Sequence, residues 1–166
     1  MSSIESQLMK LVDYIGFYGP IIMIVLVTFG LWGRTKYLIF FLLFFIANYY
    51  FNEILKSYIK EPRPAAFNST QSPTLKYEYF ANHRSYGMPS GHAQDVFYSL
   101  IFLFLAKTQF TVYSVAGIFV SAITVFQRFK TKRHSAKQLA AGAVVGGAVA
   151  YLAQLVASHM VIGGCA

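Results

Sequence analysis

Long apolar runs separated by short polar or basic segments limit what this chain can become. Crossing roughly 30 Å of hydrocarbon takes about 20 apolar residues, and only helices or closed barrels satisfy their backbone polar groups there. Five stretches qualify as spans: residues 19–32, 37–59, 93–106, 110–126 and 136–162. The first is a little short and is closed by Arg34 and Lys36, which suit an interface. The expected fold is therefore all-α, an integral membrane helical bundle of about five transmembrane helices. Composition agrees: 56% of the 166 residues are apolar and only 12% charged, about half the charge of a soluble globule. One compact domain covering residues 1–166 accounts for the length.

Residues 1–18 carry Ile4, Leu8, Leu11 and Ile15 at helical spacing ahead of Pro20, the pattern of an interfacial amphipathic helix. No n-region and small-residue cleavage site precede the first span, so it is expected to stay attached. The single Cys165 cannot close an internal disulfide, and the terminal GGCA does not satisfy a prenylation pattern. The run AAGAVVGGAVA in the fifth span reads as close helix packing.

Alternating spans bring residues 59–92 and 127–135 out on one face, and residues 33–36 and 107–109 on the other. The connection at 60–91 holds four of the five prolines and no long apolar run, as an active-site loop or lid would. Lys56, Arg63, Ser90, His92, Arg128 and His134 all fall on that same face.

Three segments carry this polar chemistry: KSYIKEPRP (56–64), YGMPSGH (86–92) and RFKTKRHSAKQ (128–138). A lone cation at the end of a span is usually a snorkelling anchor, and a lone histidine in a basic loop is usually incidental. Three such segments on one face call for more. Pro62 should end the second helix near Ile59 or Lys60, leaving Lys56 in its last turn and Arg63 just beyond. Lysine as a point charge and arginine as a planar fork can hold a phosphate, each charge-assisted bond contributing about 1.5 to 3 kcal/mol. Ser90 is a natural N-cap for the third span, whose exposed backbone N–H groups form an anion site. His92, in the first turn, can deliver a proton to a leaving oxygen. His134 and Gln138 are four residues apart on one helical face, so the amide can fix the imidazole tautomer and leave the other nitrogen nucleophilic.

Lys-x6-Arg-Pro, then Pro-Ser-Gly-His, then Arg-x5-His resembles the signature of the type 2 phosphatidic acid phosphatase superfamily of membrane lipid phosphatases. The resemblance implies that Lys56, Arg63, Ser90, Gly91 and Arg128 hold the phosphate. It implies that His134 attacks phosphorus to form a phosphohistidine and that His92 protonates the departing group. It also implies no metal and no cofactor, and only six acidic residues, with no pair spaced for Mg²⁺, are consistent with that.

The commonest family form has an aspartate four residues after the nucleophile, where this chain has Gln138. An amide orients the ring but stabilises a developing positive charge less well, so a weaker nucleophile or an easier substrate is expected. A diphosphate is easier, because its leaving phosphate has a second pKa of about 6. KEPRP, YGMPSGHAQ and the glutamine resemble the dolichyl diphosphate phosphatase branch, although usual members of it have serine where Gly91 stands. The expected reaction is hydrolysis of a polyprenyl diphosphate to its monophosphate. A general lipid monophosphate phosphatase, an undecaprenyl diphosphate phosphatase and an inactive scaffold or lipid-binding protein remain open alternatives.

Apart from Lys56, Arg63 and Arg128, eight basic residues lie on the motif side and three on the other. Counting charges would place the site in the cytoplasm, yet a phosphate site is basic for its own reasons and the resembling enzymes face the lumen. Asn68-Ser69-Thr70 is a glycosylation acceptor if lumenal. The expected location is an endoplasmic reticulum membrane in a eukaryote and the cell inner membrane otherwise. The net charge of +8 points to anionic lipid headgroups rather than nucleic acid.

Overall fold

A computed structural model describes residues 3–64, 86–107 and 110–162. Five helices occur among the described residues: α1 (Ser3–Gly30), α2 (Thr35–Ile59), α3 (Gly91–Lys107), α4 (Val112–Lys130) and α5 (Ala136–Ile162). No strand occurs among the described residues. Four of the five are long and apolar enough to cross a membrane. The exception, α3, has 17 residues, about 26 Å at 1.5 Å per residue.

That short helix is the axle of the bundle, touching all four others. Its closest partner is α5, and the small-residue run explains why. A Cβ on Gly142 would strike the Ser90 carbonyl, and one on Gly146 would strike the Gln94 carbonyl. Glycine thus lets the two backbones meet with no side chain between them. Farther along, Phe41 and Tyr98 stack with ring centroids 5.5 Å apart, and the Tyr98 hydroxyl donates to the Phe41 carbonyl at 2.8 Å. Val27, Leu31, Phe102 and Leu103 complete this core. Outward-facing Ile21, Val25, Ile39 and Leu43 are exposed, as a lipid-facing surface requires.

One boundary differs from the sequence expectation. Helix α1 runs unbroken through Pro20, so the described part of the expected 1–18 helix, residues 3–18, is continuous with the first span. Proline removes one helical hydrogen bond but need not end the helix where neighbouring helices support it. Here Gly16 and Gly19 let the Gln127 and Thr124 side chains of α4 press against α1 in the turn just before the proline. The amphipathic pattern survives within the longer helix: Ile4, Leu8 and Leu11 are exposed, while buried Asp13 accepts from Gln127 Nε2 at 3.4 Å.

Candidate active site

Helix α2 ends as its proline demands. Lys60 takes a left-handed conformation (φ 52°), and its N–H returns to the Lys56 carbonyl at 3.0 Å. Lys56 is 9% exposed and donates to Glu53 Oε1 at 2.7 Å. A Cβ on Gly91 would lie 3.9 Å from Lys56 Nζ, so the ammonium stands against the first turn of α3.

At that turn Ser90 is the N-cap, fully buried, its Oγ 3.5 Å from the Ala93 N–H and its carbonyl accepting from Gln94 N–H at 3.0 Å. Its own N–H donates to the Gln138 carbonyl at 3.0 Å, joining the start of α3 to α5. His92 Nε2 lies 3.1 Å from the Phe17 carbonyl, which anchors this ring to α1.

Arg128, 2% exposed, lies 5.7 Å over the Phe17 ring in the last turn of α4. The chain then folds back on itself. Lys132 adopts φ 55°, and the N–H groups of Arg133 and His134 both point to the Arg128 carbonyl, at 3.1 and 3.4 Å. A left-handed residue after a helix end is normally glycine; here lysine accepts that backbone at two helix ends. The fold-back seats His134 beside Arg128.

Helix α5 opens with a reciprocal capping box. Gln138 N–H donates to Ser135 Oγ at 3.3 Å, and Ser135 N–H donates to Gln138 Oε1 at 3.2 Å. The same Oε1 is 3.3 Å from His134 Nδ1, and the Gly87 carbonyl is 2.9 Å from that nitrogen. Both neighbours accept, so Nδ1 carries the hydrogen and Nε2 keeps its lone pair. Arg63 Nη1 lies 3.4 Å from Nε2 and 3.5 Å from the Arg133 carbonyl. Burial, reinforced by the guanidiniums of Arg63 and Arg128, pushes the His134 imidazole down to about 3. At neutral pH the ring is uncharged. Arg63, Arg128 and His134 all lie within electrostatic range of His92.

All eight residues singled out in the sequence therefore sit around this end of the bundle, on the termini of α2 to α5 and the segments between them. Sequence reasoning missed several supports. A Cβ on Gly87 would fall 2.7 Å from both terminal atoms of the Gln138 amide and would displace that amide from its partners. Arg133 reads as one more juxtamembrane cation but is 2% exposed. Beneath Lys56 runs a buried amide ladder: Asn52 Nδ2 donates to Gln94 Oε1 at 2.7 Å, and Gln94 Nε2 donates to Asn48 Oδ1 at 2.8 Å. Asn48 Nδ2 in turn donates to Asp95 Oδ1 at 2.9 Å. The signals for these were faint, namely an S-x-x-Q box and amides spaced four apart in α2. Asn68 lies outside the described residues.

The PAP2 superfamily model matches residues 37–159, from α2 into α5. This chain belongs to the PAP2 superfamily. No curated protein matched it. The crystal structure of a transmembrane PAP2-type phosphatidylglycerolphosphate phosphatase from Bacillus subtilis is similar to it in fold. The TM-score is 0.64 at 15% identity, over 93% of this chain and 77% of that one. Family and helical architecture together place the chain among multi-pass membrane lipid phosphatases.

Proposed function

We propose that this PAP2 member hydrolyses the terminal phosphate of a polyprenyl diphosphate through a phosphohistidine on His134. The observation that carries the reading is the tautomer: two carbonyl acceptors hold the Nδ1 hydrogen, and the Nε2 lone pair faces Arg63. A phosphoryl group held by Arg63, Lys56, Arg128 and the N–H groups of α3 presents phosphorus to Nε2. The N–P bond forms as the P–O bond to the departing phosphate breaks, and His92 is read as the acid that protonates that oxygen. Water then cleaves the N–P bond and releases inorganic phosphate. Cationic side chains neutralise the transferring group, so the reaction is read as metal-independent.

The lipid half of the substrate has a matching feature. A groove of about 740 Å³ between α4 and α5 is lined by Phe97, Leu100, Ile118, Phe126, Leu139 and Ala143, among others. It reaches Phe129 and Ala136, next to the fold-back that carries His134. An apolar groove that ends beside this fold-back suits an isoprenoid chain.

Preference for a diphosphate rests on Gln138, since a neutral amide favours a leaving group that departs readily. Purified protein should release phosphate from farnesyl or dolichyl diphosphate, and His134→Ala should stop it. Equal or faster release from phosphatidic acid or phosphatidylglycerolphosphate would replace the diphosphate assignment with a monophosphate one. In a eukaryotic host the site is read as lumenal in the endoplasmic reticulum. A glycosidase-sensitive mass shift lost in Asn68→Gln is the expected result.

A further inference from the structure

Gln138 occupies the position where the family's usual aspartate would contact the nucleophile, and its amide is used at both ends. Nε2 donates to Glu61 Oε1 at 3.0 Å and to the Pro62 carbonyl at 2.9 Å. A flipped amide would set its oxygen against these two acceptors, so the orientation is fixed and Oε1 must face His134. The backbone reinforces the arrangement, because Gly87 N–H donates to the Glu61 carbonyl at 2.7 Å and the Gly87 carbonyl meets His134 Nδ1.

We propose that Glu61 is a positioning residue for the nucleophile, its carboxylate acting on His134 through the Gln138 amide. The charge missing at position 138 is thus supplied from the KEPRP segment, two hydrogen bonds away. Attack by Nε2 on phosphorus leaves the ring cationic, with Nδ1–H a stronger donor. A carboxylate drawing on the amide N–H enriches Oε1, the atom that receives that donor. The effect is weaker than that of a carboxylate in direct contact, because Lys137 Nζ holds Glu61 Oε2 at 3.0 Å and water reaches the pair. Hydrogen bonds from Lys137 and then Gln138 hold the Glu61 carboxyl below its ordinary range, so it is ionised at neutral pH.

This inference rests on the phosphohistidine reading, and its test separates the two. Steady-state kinetics on farnesyl diphosphate would compare wild type with Glu61→Gln, Lys137→Ala, the exchange Glu61→Gln/Gln138→Glu, and His134→Ala. Glu61→Gln keeps an acceptor for the Gln138 amide but removes the charge. Its kcat should fall about 10- to 100-fold with KM nearly unchanged, the usual range for a group acting through another. Lys137→Ala breaks the same ion pair and should leave kcat within about twofold. The exchange places a carboxylate directly on Nδ1 and should recover at least part of the loss. Glu61→Gln turning over like wild type, Lys137→Ala falling equally far, or an exchange no better than Glu61→Gln would overturn the relay alone. Activity retained in His134→Ala, or no phosphate release by wild type, would overturn the reading beneath it.

Discussion

The two ends of this bundle solve the same problem with opposite means. At one end Arg34 reaches from the α1–α2 turn to the Ala106 carbonyl near the close of α3, a plain C-cap by a basic side chain. Otherwise that end is apolar core, with Leu31, Phe102 and Leu103 buried nearby. At the other end helix termini are tied by backbone bonds between distant segments, with Arg128, Arg133 and His134 each less than 5% exposed. Burying cations and an imidazole is costly unless something repays it. One end closes a helix; the other gathers buried charges, and on the proposed function an anion is what offsets them.

The sharpest break in this contrast is His134→Ala, which should cut phosphate release by about 10³-fold or more while leaving the fold intact. A protein that lost activity only in step with thermal stability would show that His134 is structural. Next in size is Gly146→Val in the seam between α3 and α5. Its added carbons meet the Gln94 backbone, and overpacking of this kind costs about 1 to 3 kcal/mol. Thermal unfolding in detergent should show the loss, and activity should fall with it, because the seam carries the site.

A smaller effect concerns pH. His134 titrates near 3 in the fold, against about 6.5 when unfolded. Below 6.5 the unfolded chain takes up a proton that the folded ring refuses, so stability falls as pH drops from 6.5 toward 3. In His134→Asn that part of the slope should be gone when unfolding is followed at pH 7 and pH 5. Smallest is Arg34→Ala at the quiet end, which should lower stability by less than about 1 kcal/mol and leave kcat unchanged. A large loss of activity there would erase the distinction between the two ends.

Much of this arrangement was legible in the chain because it is written in local rules. Pro62 stops α2, Ser90 caps α3, and apolar length marks the spans, each a statement about a few neighbouring residues. Pro20 misled because the same local rule was overridden by α4, whose Gln127 and Thr124 pack against the glycines of the turn before it. The supporting groups were illegible for a related reason. Glu61 and Gln138 are 77 residues apart, and nothing in either neighbourhood announces that they meet. Gly87 stood inside a motif, yet the close approach there is to an amide 51 residues away. Lys60 and Lys132 hide left-handed turns that glycine would have advertised.

The glycine seam divides the proposed site by how its residues are attached. Ser90, Gly91, His92, His134 and Gln138 sit on or beside two helices packed backbone to backbone, which fixes their mutual spacing. Arg128 belongs to α4, which meets α5 sparingly and is parted from it by the apolar groove. On the proposed function, a bulky chain entering from the bilayer meets a sparse seam of the bundle, the one between α4 and α5. Tolerance toward different lipids would then be set by how far that groove can widen before it strains the Arg128 carbonyl that binds the His134 N–H.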